Sequence, residues 1–391
     1  MPVSSPAPVH GEVADGFEKV AFAFERNFAE GGELGAAVSV VVRGRAVVDL
    51  WGGWVDPQCA VEWRRQTLTN IWSTTNGLVA IAALQLVESG DLDVDAPVAR
   101  YWPEFASAGK GDIPVRWLLS HRSGVTGVPP EHPLGVDDLL DWPKMTLVLA
   151  AQEPLFEPGS VSGYQALSYG YLVGEVIRRI TGQTVGEFFR ANVAQPLNAD
   201  VHIGLDRSDL QRCSTIVEPA AGAEQVADAL AAEPTRAALA ALGNPHSLTK
   251  NVNSARWRVA EIPAANGHGT AYGLATIYGA LVDDSERLLR RETIEFGRTG
   301  QGRCRDVVMA LDNEFGLGFT LGSHQRSFGP NSRSFGHDGW GGSTAFADVE
   351  RGVGFSYVMN RMGTSLRDDP RKMVLVEATY ACLSDATTVI R

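Results

Sequence analysis

A serine followed three residues later by an asparagine begins the stretch of this sequence best suited to chemistry. Ser73 and Asn76 stand where a short extended segment (68–72) gives way to an apolar run with helical spacing (78–87). Residues three apart share a helix face and can contact each other. Serine nucleophiles that use a lysine base have this layout, with the lysine in the fourth position. Here that position holds asparagine, and taken alone the tetrapeptide is more often an ordinary helix start, since serine is a favoured N-cap residue.

Two further stretches carry groups suited to acyl transfer. Tyr164 follows a Pro-Gly turn and precedes a helical pattern, which would hold its phenol at the edge of a cleft. A glycine-rich stretch (335–343) leads into a strand, and glycine lets a backbone approach a substrate closely. Taken singly, a partly buried tyrosine and a tight hairpin explain these stretches better. His121 is a further candidate base, although a histidine between a short helix and a glycine turn is more often structural.

The composition excludes several classes of function. The chain has 391 residues, of which 44% are hydrophobic and 20% charged, as expected of a globular enzyme large enough for two lobes. A formal net charge of -12 argues against a nucleic-acid partner. The four cysteines are far apart and form no metal-binding pattern, so we expect no metal, no other cofactor, and reduced thiols. Since neither a secretory signal nor a membrane-spanning apolar run is found, we expect a cytoplasmic protein without a membrane partner.

The elements that would position these residues suggest one sheet built from both ends of the chain. Residues 36–42 and 46–51 have the pattern of a β-hairpin, and the middle of the chain is mainly helical, including an alanine-rich stretch (218–242). Further short strands are predicted at 315–322, 333–336, 343–348 and 353–359. The fold class is therefore α/β (α+β): an antiparallel sheet flanked by helices plus an inserted, mostly helical lobe. We place the α/β domain at 1–75 and 255–391, the helical domain at 76–254, and the active cleft between them.

In order and spacing, these stretches resemble the serine β-lactamase/DD-peptidase fold family, and especially the family VIII carboxylesterases, which look like class C β-lactamases. The likeness extends over most of the chain. Besides the stretches around Ser73 and Tyr164, it rests on residues 117–124, 157–159, 265–269, 315–319 and 337–343. Each of these motifs is moderately specific, and their order in one chain makes the resemblance strong.

The resemblance implies a role for each candidate residue. Ser73 would be the nucleophile that becomes acylated. Tyr164 would share the base role and pass a proton to the leaving group, although the family's Tyr-x-Asn pattern here ends in Ala166. His337-Asp338-Gly339 lies where the β-lactamases carry Lys-Thr-Gly. The backbone N–H of Ser73 and one from the strand after His337 would form the oxyanion hole. The oxyanion and substrate-binding set implied in this way is His337, Gly339, Trp340, Gly341, Gly342 and Ser343.

Asn76, at the position of the family lysine, bears directly on the mechanism. Its amide cannot accept a proton near neutral pH, and loss of a general base typically costs about 10²–10⁴ in rate. The resemblance therefore implies a hydrolase of small carboxylic esters that acts through acyl-Ser73 with severely weakened turnover. Three explanations stay open: an introduced knockout of the base of an active esterase, a natural variant in which Tyr164 assisted by His337 transfers the proton, or a non-catalytic descendant that binds a ligand.

The substrate is less sharply defined. Hydrolysis of a β-lactam or an amide, or acyl transfer to an acceptor other than water, is an alternative within the same fold. Esters are favoured because His337 replaces the lysine that would meet a β-lactam carboxylate. The candidates for an apolar acyl pocket are Trp54, Trp72, Trp257 and Trp340.

Overall fold

An antiparallel sheet forms the centre of the protein. The computed structural model describes residues 7–219, 234–246, 248–322, 328–365 and 367–386. The strands are β1 (Val9–Val13), β2 (Gly35–Val42), β3 (Arg45–Gly53), β4 (Thr69–Asn70), β5 (Val201–Ile203), β6 (Gly267–Gly269), β7 (Cys304–Arg305), β8 (Asp312–Asn313), β9 (Thr320–Leu321), β10 (Phe335–Asp338), β11 (Thr344–Asp348) and β12 (Val353–Met359). Seven of them form one sheet in the order β1-β3-β2-β12-β11-β10-β9, and each neighbouring pair is antiparallel. Both ends of the chain therefore contribute to the same sheet.

Helices cover both faces of this sheet. They are α1 (Glu18–Ala29), α2 (Thr74–Ser89), α3 (Val115–Leu119), α4 (Val136–Leu139), α5 (Trp142–Ala151), α6 (Ser168–Thr181), α7 (Val185–Phe189), α8 (Arg236–Leu242), α9 (Ala255–Val259), α10 (Ala271–Ala280), α11 (Arg291–Gly297) and α12 (Pro370–Ala386). Helices α1 and α12 pack together, and their apolar side chains share a core with one face of the sheet. Helix α10 packs against β2 and β12. Strands β2 and β12 are buried along almost their whole length, which explains their nearly continuous apolar sequence.

A pair of glycines lets α10 lie directly on the sheet. A Cβ atom at Gly354 would stand only 2.2 Å from the backbone nitrogen of Gly279 in α10. No side chain fits between the two backbones, so a larger residue at position 354 would push the helix away. This close contact fixes α10 against the sheet, where it also packs on β11.

Helix α2 is buried on all sides. Almost every residue from Thr74 to Leu84 is inaccessible, and the helix packs against α6, α7 and β10. A helix that is apolar all round belongs in the interior of a large domain. It ends at Gly90, which adopts φ 83° and so provides a left-handed C-cap. The N-terminus of α2 is therefore held rigidly, with Ser73 just before its first residue.

The α/β fold with an antiparallel sheet and flanking helices is confirmed, and so is the hairpin formed by β2 and β3. The strand predicted at 315–322 is shorter than expected, because Gly318 at φ 89° breaks the extended backbone and only Thr320–Leu321 pair with β10. Of the helix predicted at 218–242, residues 220–233 lie outside the described residues, and α8 covers Arg236–Leu242. The division into two domains stays a prediction. None of the helices in the described ranges combines the length and apolarity needed to cross a bilayer.

Candidate active site

Ser73 lies at the junction between β4 and α2. It occupies the N-cap position of α2, yet its hydroxyl makes no capping hydrogen bond. The hydroxyl is therefore available to other groups. Trp72, just before it, has φ 47°, a left-handed conformation that is costly for a bulky residue. The N-terminus of a 16-residue helix also favours negative charge, which is useful where an alkoxide or oxyanion forms.

The Tyr164 phenol lies beside Ser73, and its interaction with the Ser73 hydroxyl favours the ionised phenol. Burial raises the pKa of the Tyr164 phenol to about 12, against the opposing effects of a hydrogen bond with Ser73, the charge of Arg367 and a hydrogen bond with Asn76. Only 8% of the tyrosine is exposed. Its backbone N–H donates to Asp306 Oδ1 (3.1 Å), which ties this loop in place. At neutral pH the phenol is therefore protonated, and it is a weak base.

Asn76 is completely buried and links the two neighbouring side chains of the site. Its Nδ2 donates to the Tyr164 hydroxyl (3.1 Å) and lies 3.4 Å from His337 Nε2. Its Oδ1 is buried and has no hydrogen-bond partner within the described part of the chain. An unsatisfied buried acceptor costs about 1–3 kcal/mol. The residue at this position therefore supplies hydrogen-bond donors to the site and no base.

His337 lies in β10 beside Asn76. Its Nδ1 is 2.7 Å from the Asp338 carbonyl oxygen, which can only accept, so Nδ1 carries a hydrogen. Burial lowers the pKa of His337 to about 4, although the hydrogen bond to Asp338 opposes this. The imidazole is therefore neutral at physiological pH, and its Nε2 presents a lone pair to Asn76. The Asp338 carboxylate itself is paired with the buried Lys372, whose Nζ is 3.0 Å from both oxygens.

The glycine-rich turn after β10 is clamped against the segment that precedes Ser73. Gly339 N–H donates to Ser343 O (2.7 Å), and Ser343 Oγ donates to Ile71 O (2.8 Å). A Cβ atom on Gly339 would lie 2.3 Å from Ile71 O, so the turn approaches too closely for any other residue. Gly341 and Gly342 adopt φ 83° and 123°, which a side chain would strain. In this arrangement the Ser343 hydroxyl fastens the turn, and its predicted contact with substrate stays a prediction.

Three of the four tryptophans proposed for an acyl pocket come together. The ring centroids of Trp72 and Trp340 are 5.2 Å apart, and those of Trp72 and Trp257 are 6.2 Å apart. Trp54 instead follows β3, where its backbone N–H donates to Leu34 O (2.8 Å). Trp72 directly precedes Ser73 in the sequence. Trp72 and Trp257 are buried, whereas Trp340 is half-buried, so Trp340 is the member of the cluster that an acyl group could reach.

His121 supports the loop that carries Tyr164. Its ring centroid is 4.9 Å from that of Tyr164 and 4.5 Å from that of Phe315, and its Nδ1 accepts the backbone N–H of Gln165 (3.2 Å). Burial lowers the pKa of His121 well below its usual range, so the ring is neutral. These contacts agree with the structural interpretation of this histidine and give it no direct contact with Ser73.

Sequence reasoning missed two residues that position the site. Asp306 accepts from Ser162 Oγ (2.8 Å) as well as from the backbone of Tyr164, and Lys372 neutralises Asp338. Neither belongs to a motif, since each lies far along the chain from its partner. Within the described ranges, no three His, Cys, Asp or Glu side chains are grouped closely enough to bind a metal ion.

The antiparallel sheet with its flanking helices, the serine at the start of a buried helix and the strand that leads into a glycine-rich turn are those of the β-lactamase/transpeptidase-like fold. Residues 23–378 match the beta-lactamase family, so the chain belongs to this family. It is 35% identical over 339 residues to the esterase/beta-lactamase LipL of Mycobacterium tuberculosis, and this match covers 84% of this chain and 77% of that protein.

Solved structures agree with this assignment. A family VIII carboxylesterase superimposes with a TM-score of 0.90 at 38% identity, covering 96% of this chain and 100% of the other. A penicillin-binding protein homologue from Caulobacter crescentus gives a TM-score of 0.87 at 39% identity, covering 96% and 100%. The resemblance expected from the sequence is thereby confirmed for the family and the fold.

Proposed function

We propose that this protein hydrolyses small carboxylic esters through an acyl-Ser73 intermediate. The observation that carries the proposal is the position of Ser73 at the start of α2, next to the buried Tyr164 phenol that also accepts from Asn76 Nδ2 at 3.1 Å. Support also comes from two relatives named above, which are an esterase/beta-lactamase and a carboxylesterase. The substrate would be a small ester whose acyl group packs on Trp340.

The chemistry follows from the groups around Ser73. When Tyr164 is deprotonated, the Ser73 hydroxyl oxygen attacks the ester carbonyl while its proton passes to the phenolate oxygen, and the resulting phenol then returns the proton to the leaving alkoxide. The Ser73 backbone N–H would stabilise the oxyanion from the helix N-terminus. Since the Gly339 N–H is already bonded to Ser343 O, the second donor in this proposal is the next N–H along the turn, that of Trp340. Water then attacks the acyl-enzyme by the same route in reverse.

Turnover should be severely weakened. A lysine at position 76 would offer an amine lone pair to the Ser73 proton, whereas Asn76 offers only donors to its neighbours. The proton acceptor that remains is Tyr164, whose high pKa leaves little phenolate at neutral pH. Of the three explanations of Asn76, the direct contact of Tyr164 with both Ser73 and Asn76 supports the one in which Tyr164, assisted by His337, transfers the proton.

Esters are preferred to β-lactams for an electrostatic reason. A β-lactam carries a carboxylate, and His337 occupies the place of the lysine that would meet it. Because burial keeps His337 neutral, it supplies no positive charge to that carboxylate at physiological pH. An ester without a charged group needs no positive charge at this position.

Mass spectrometry of the intact protein tests the proposal. The protein is incubated with p-nitrophenyl acetate or butyrate, and separately with nitrocefin, and the adduct is mapped by proteolysis. We expect acylation of Ser73 by the esters, little reaction with nitrocefin, and no adduct in Ser73→Ala. If neither the protein nor its Asn76→Lys variant forms an adduct on Ser73, the ligand-binding explanation replaces this one.

A further inference from the structure

The hydrogen-bonded chain from His337 through Asn76 to Tyr164 has a defined direction. It starts at the Asp338 carbonyl, which accepts from His337 Nδ1 and so fixes the hydrogen on that nitrogen. A neutral imidazole carries only one N–H, so His337 Nε2 is an acceptor. The atom of Asn76 that faces this acceptor at 3.4 Å must then be the amide nitrogen, not the oxygen.

The orientation of the Asn76 amide decides whether the Tyr164 hydroxyl accepts a hydrogen bond from Asn76 or donates one to it. With Nδ2 towards His337, the same nitrogen is 3.1 Å from the Tyr164 hydroxyl and donates its second hydrogen there. The phenol oxygen then accepts a hydrogen bond from Asn76, which stabilises negative charge on that oxygen. If the amide were turned over, Oδ1 would instead accept the phenol's own hydrogen, and the stabilising donor would be lost.

The turned amide is a real competitor, because the observed orientation leaves Oδ1 without a partner within the described residues. Asn76 and His337 are both buried, with 0% and 5% exposed, so water is not at hand to satisfy either orientation. The acceptor on His337 is the contact that distinguishes the two orientations. Without it, the amide would gain a partner for Oδ1 by turning over.

We propose that His337 is a positioning residue that acts through Asn76. By accepting a hydrogen bond it holds the amide nitrogen on the Tyr164 oxygen, where it stabilises the phenolate that takes the proton from Ser73. This inference rests on the proposed ester hydrolysis. The proton passes from Ser73 Oγ to the Tyr164 phenolate oxygen, which becomes a neutral phenol, and His337 and Asn76 keep their own hydrogens throughout. His337 therefore influences the rate of acylation without touching the substrate.

A double-mutant cycle separates this role from general support of the fold. The rate of Ser73 acylation by p-nitrophenyl acetate is measured in His337→Phe, which removes the acceptor, and in His337→Gln, whose amide oxygen can replace it. We expect His337→Phe to slow acylation between about tenfold and about a hundredfold, because loss of one hydrogen bond to a charged group lowers the fraction of Tyr164 that is phenolate. His337→Gln should recover part of this loss. In an Asn76→Ala background the effect of His337→Phe should vanish, because the residue through which it acts is gone.

The tautomer of His337 provides a readout that does not depend on activity. Nitrogen-15 spectra of the unmodified protein, with the His337 signals identified by their loss in His337→Gln, should show hydrogen on Nδ1 and none on Nε2. Hydrogen on Nε2, or an equal slowing by His337→Phe in both backgrounds, would overturn the proposal. If circular dichroism shows that His337→Phe does not fold, the tautomer of His337 and the acylation rate of His337→Gln still test the proposal. If no adduct forms on Ser73, the proposed ester hydrolysis is wrong, and the spectra still report the tautomer of His337.

Discussion

The rate of Ser73 acylation should rise steeply with pH if Tyr164 is the proton acceptor. Burial raises the pKa of the Tyr164 phenol to about 12. The reactive form is the phenolate, so its fraction falls as the pH drops below that pKa. At pH 7 the phenolate is about one part in 10⁵, and at pH 10 about one part in 10², since each pH unit changes it tenfold. We therefore expect acylation to be faster at pH 10 than at pH 7 by about a thousandfold.

The assay must distinguish this increase from attack by hydroxide. Free p-nitrophenyl acetate also hydrolyses faster as the pH rises, so the quantity to follow is the early appearance of acyl-Ser73 by quenched mass spectrometry. Ser73→Ala gives the background of non-specific acylation. Tyr164→Phe is the matched control, because it keeps the ring that packs against His121 and removes only the hydroxyl.

A flat profile between pH 7 and pH 10 would refute the reasoning. It is the result expected if the neutral His337 accepted the proton, because its pKa of about 4 leaves it fully deprotonated across the whole range. An unchanged rise in Tyr164→Phe would be equally damaging, since the increase would then come from another group. Circular dichroism at each pH confirms that the protein remains folded during the assay.

Three further perturbations test the site and its support. Asn76→Lys should raise the acylation rate at pH 7 by about 10²–10⁴, the usual contribution of a general base, with p-nitrophenyl butyrate as the measured substrate. Gly77→Ala should lower stability by about 1–3 kcal/mol, because the new Cβ would lie 2.0 Å from the Tyr278 hydroxyl, and thermal unfolding should show recovery in the Gly77→Ala, Tyr278→Phe double variant. Lys372→Met should cost about 3–5 kcal/mol in a urea titration by leaving Asp338 unpaired, and adding Asp338→Asn should restore much of the loss.

Much of the fold could be predicted because hydrophobic pattern and turn residues are local signals. The hairpin of β2 and β3 has alternating and continuous apolar runs around a glycine turn, and α2 has an apolar run with helical spacing. The stretch 315–322 was less predictable. Its apolar residues have strand propensity, but Gly316 N–H bonds to Phe319 O (2.9 Å) and closes a tight turn instead. Strand propensity alone does not show that a tight turn competes with the strand in this stretch.

The candidate site divides in the same way. Ser73, Tyr164 and the stretch around His337 could be proposed from the sequence because each is preceded or followed by a recognisable turn or apolar run. Asp306 and Lys372 were not found, because their roles exist only through partners more than 30 residues away in the sequence. The direction of the hydrogen bonds at Asn76 was also out of reach, since it depends on which nitrogen of His337 faces the backbone of Asp338.

The supports of the site explain how one residue can alter the chemistry without disturbing the geometry. Ser343 fastens the glycine-rich turn to Ile71, and Asp306 fastens the backbone of Tyr164, and neither contact involves residue 76. In the proposed mechanism, substrate binding depends on these fixed parts, whereas proton transfer depends on Tyr164 and on the side chain at position 76. A change between Asn and Lys at this position should therefore act on kcat with little effect on KM, because it alters an interaction made only in the transition state. A shift confined to KM would mean that residue 76 also shapes the pocket.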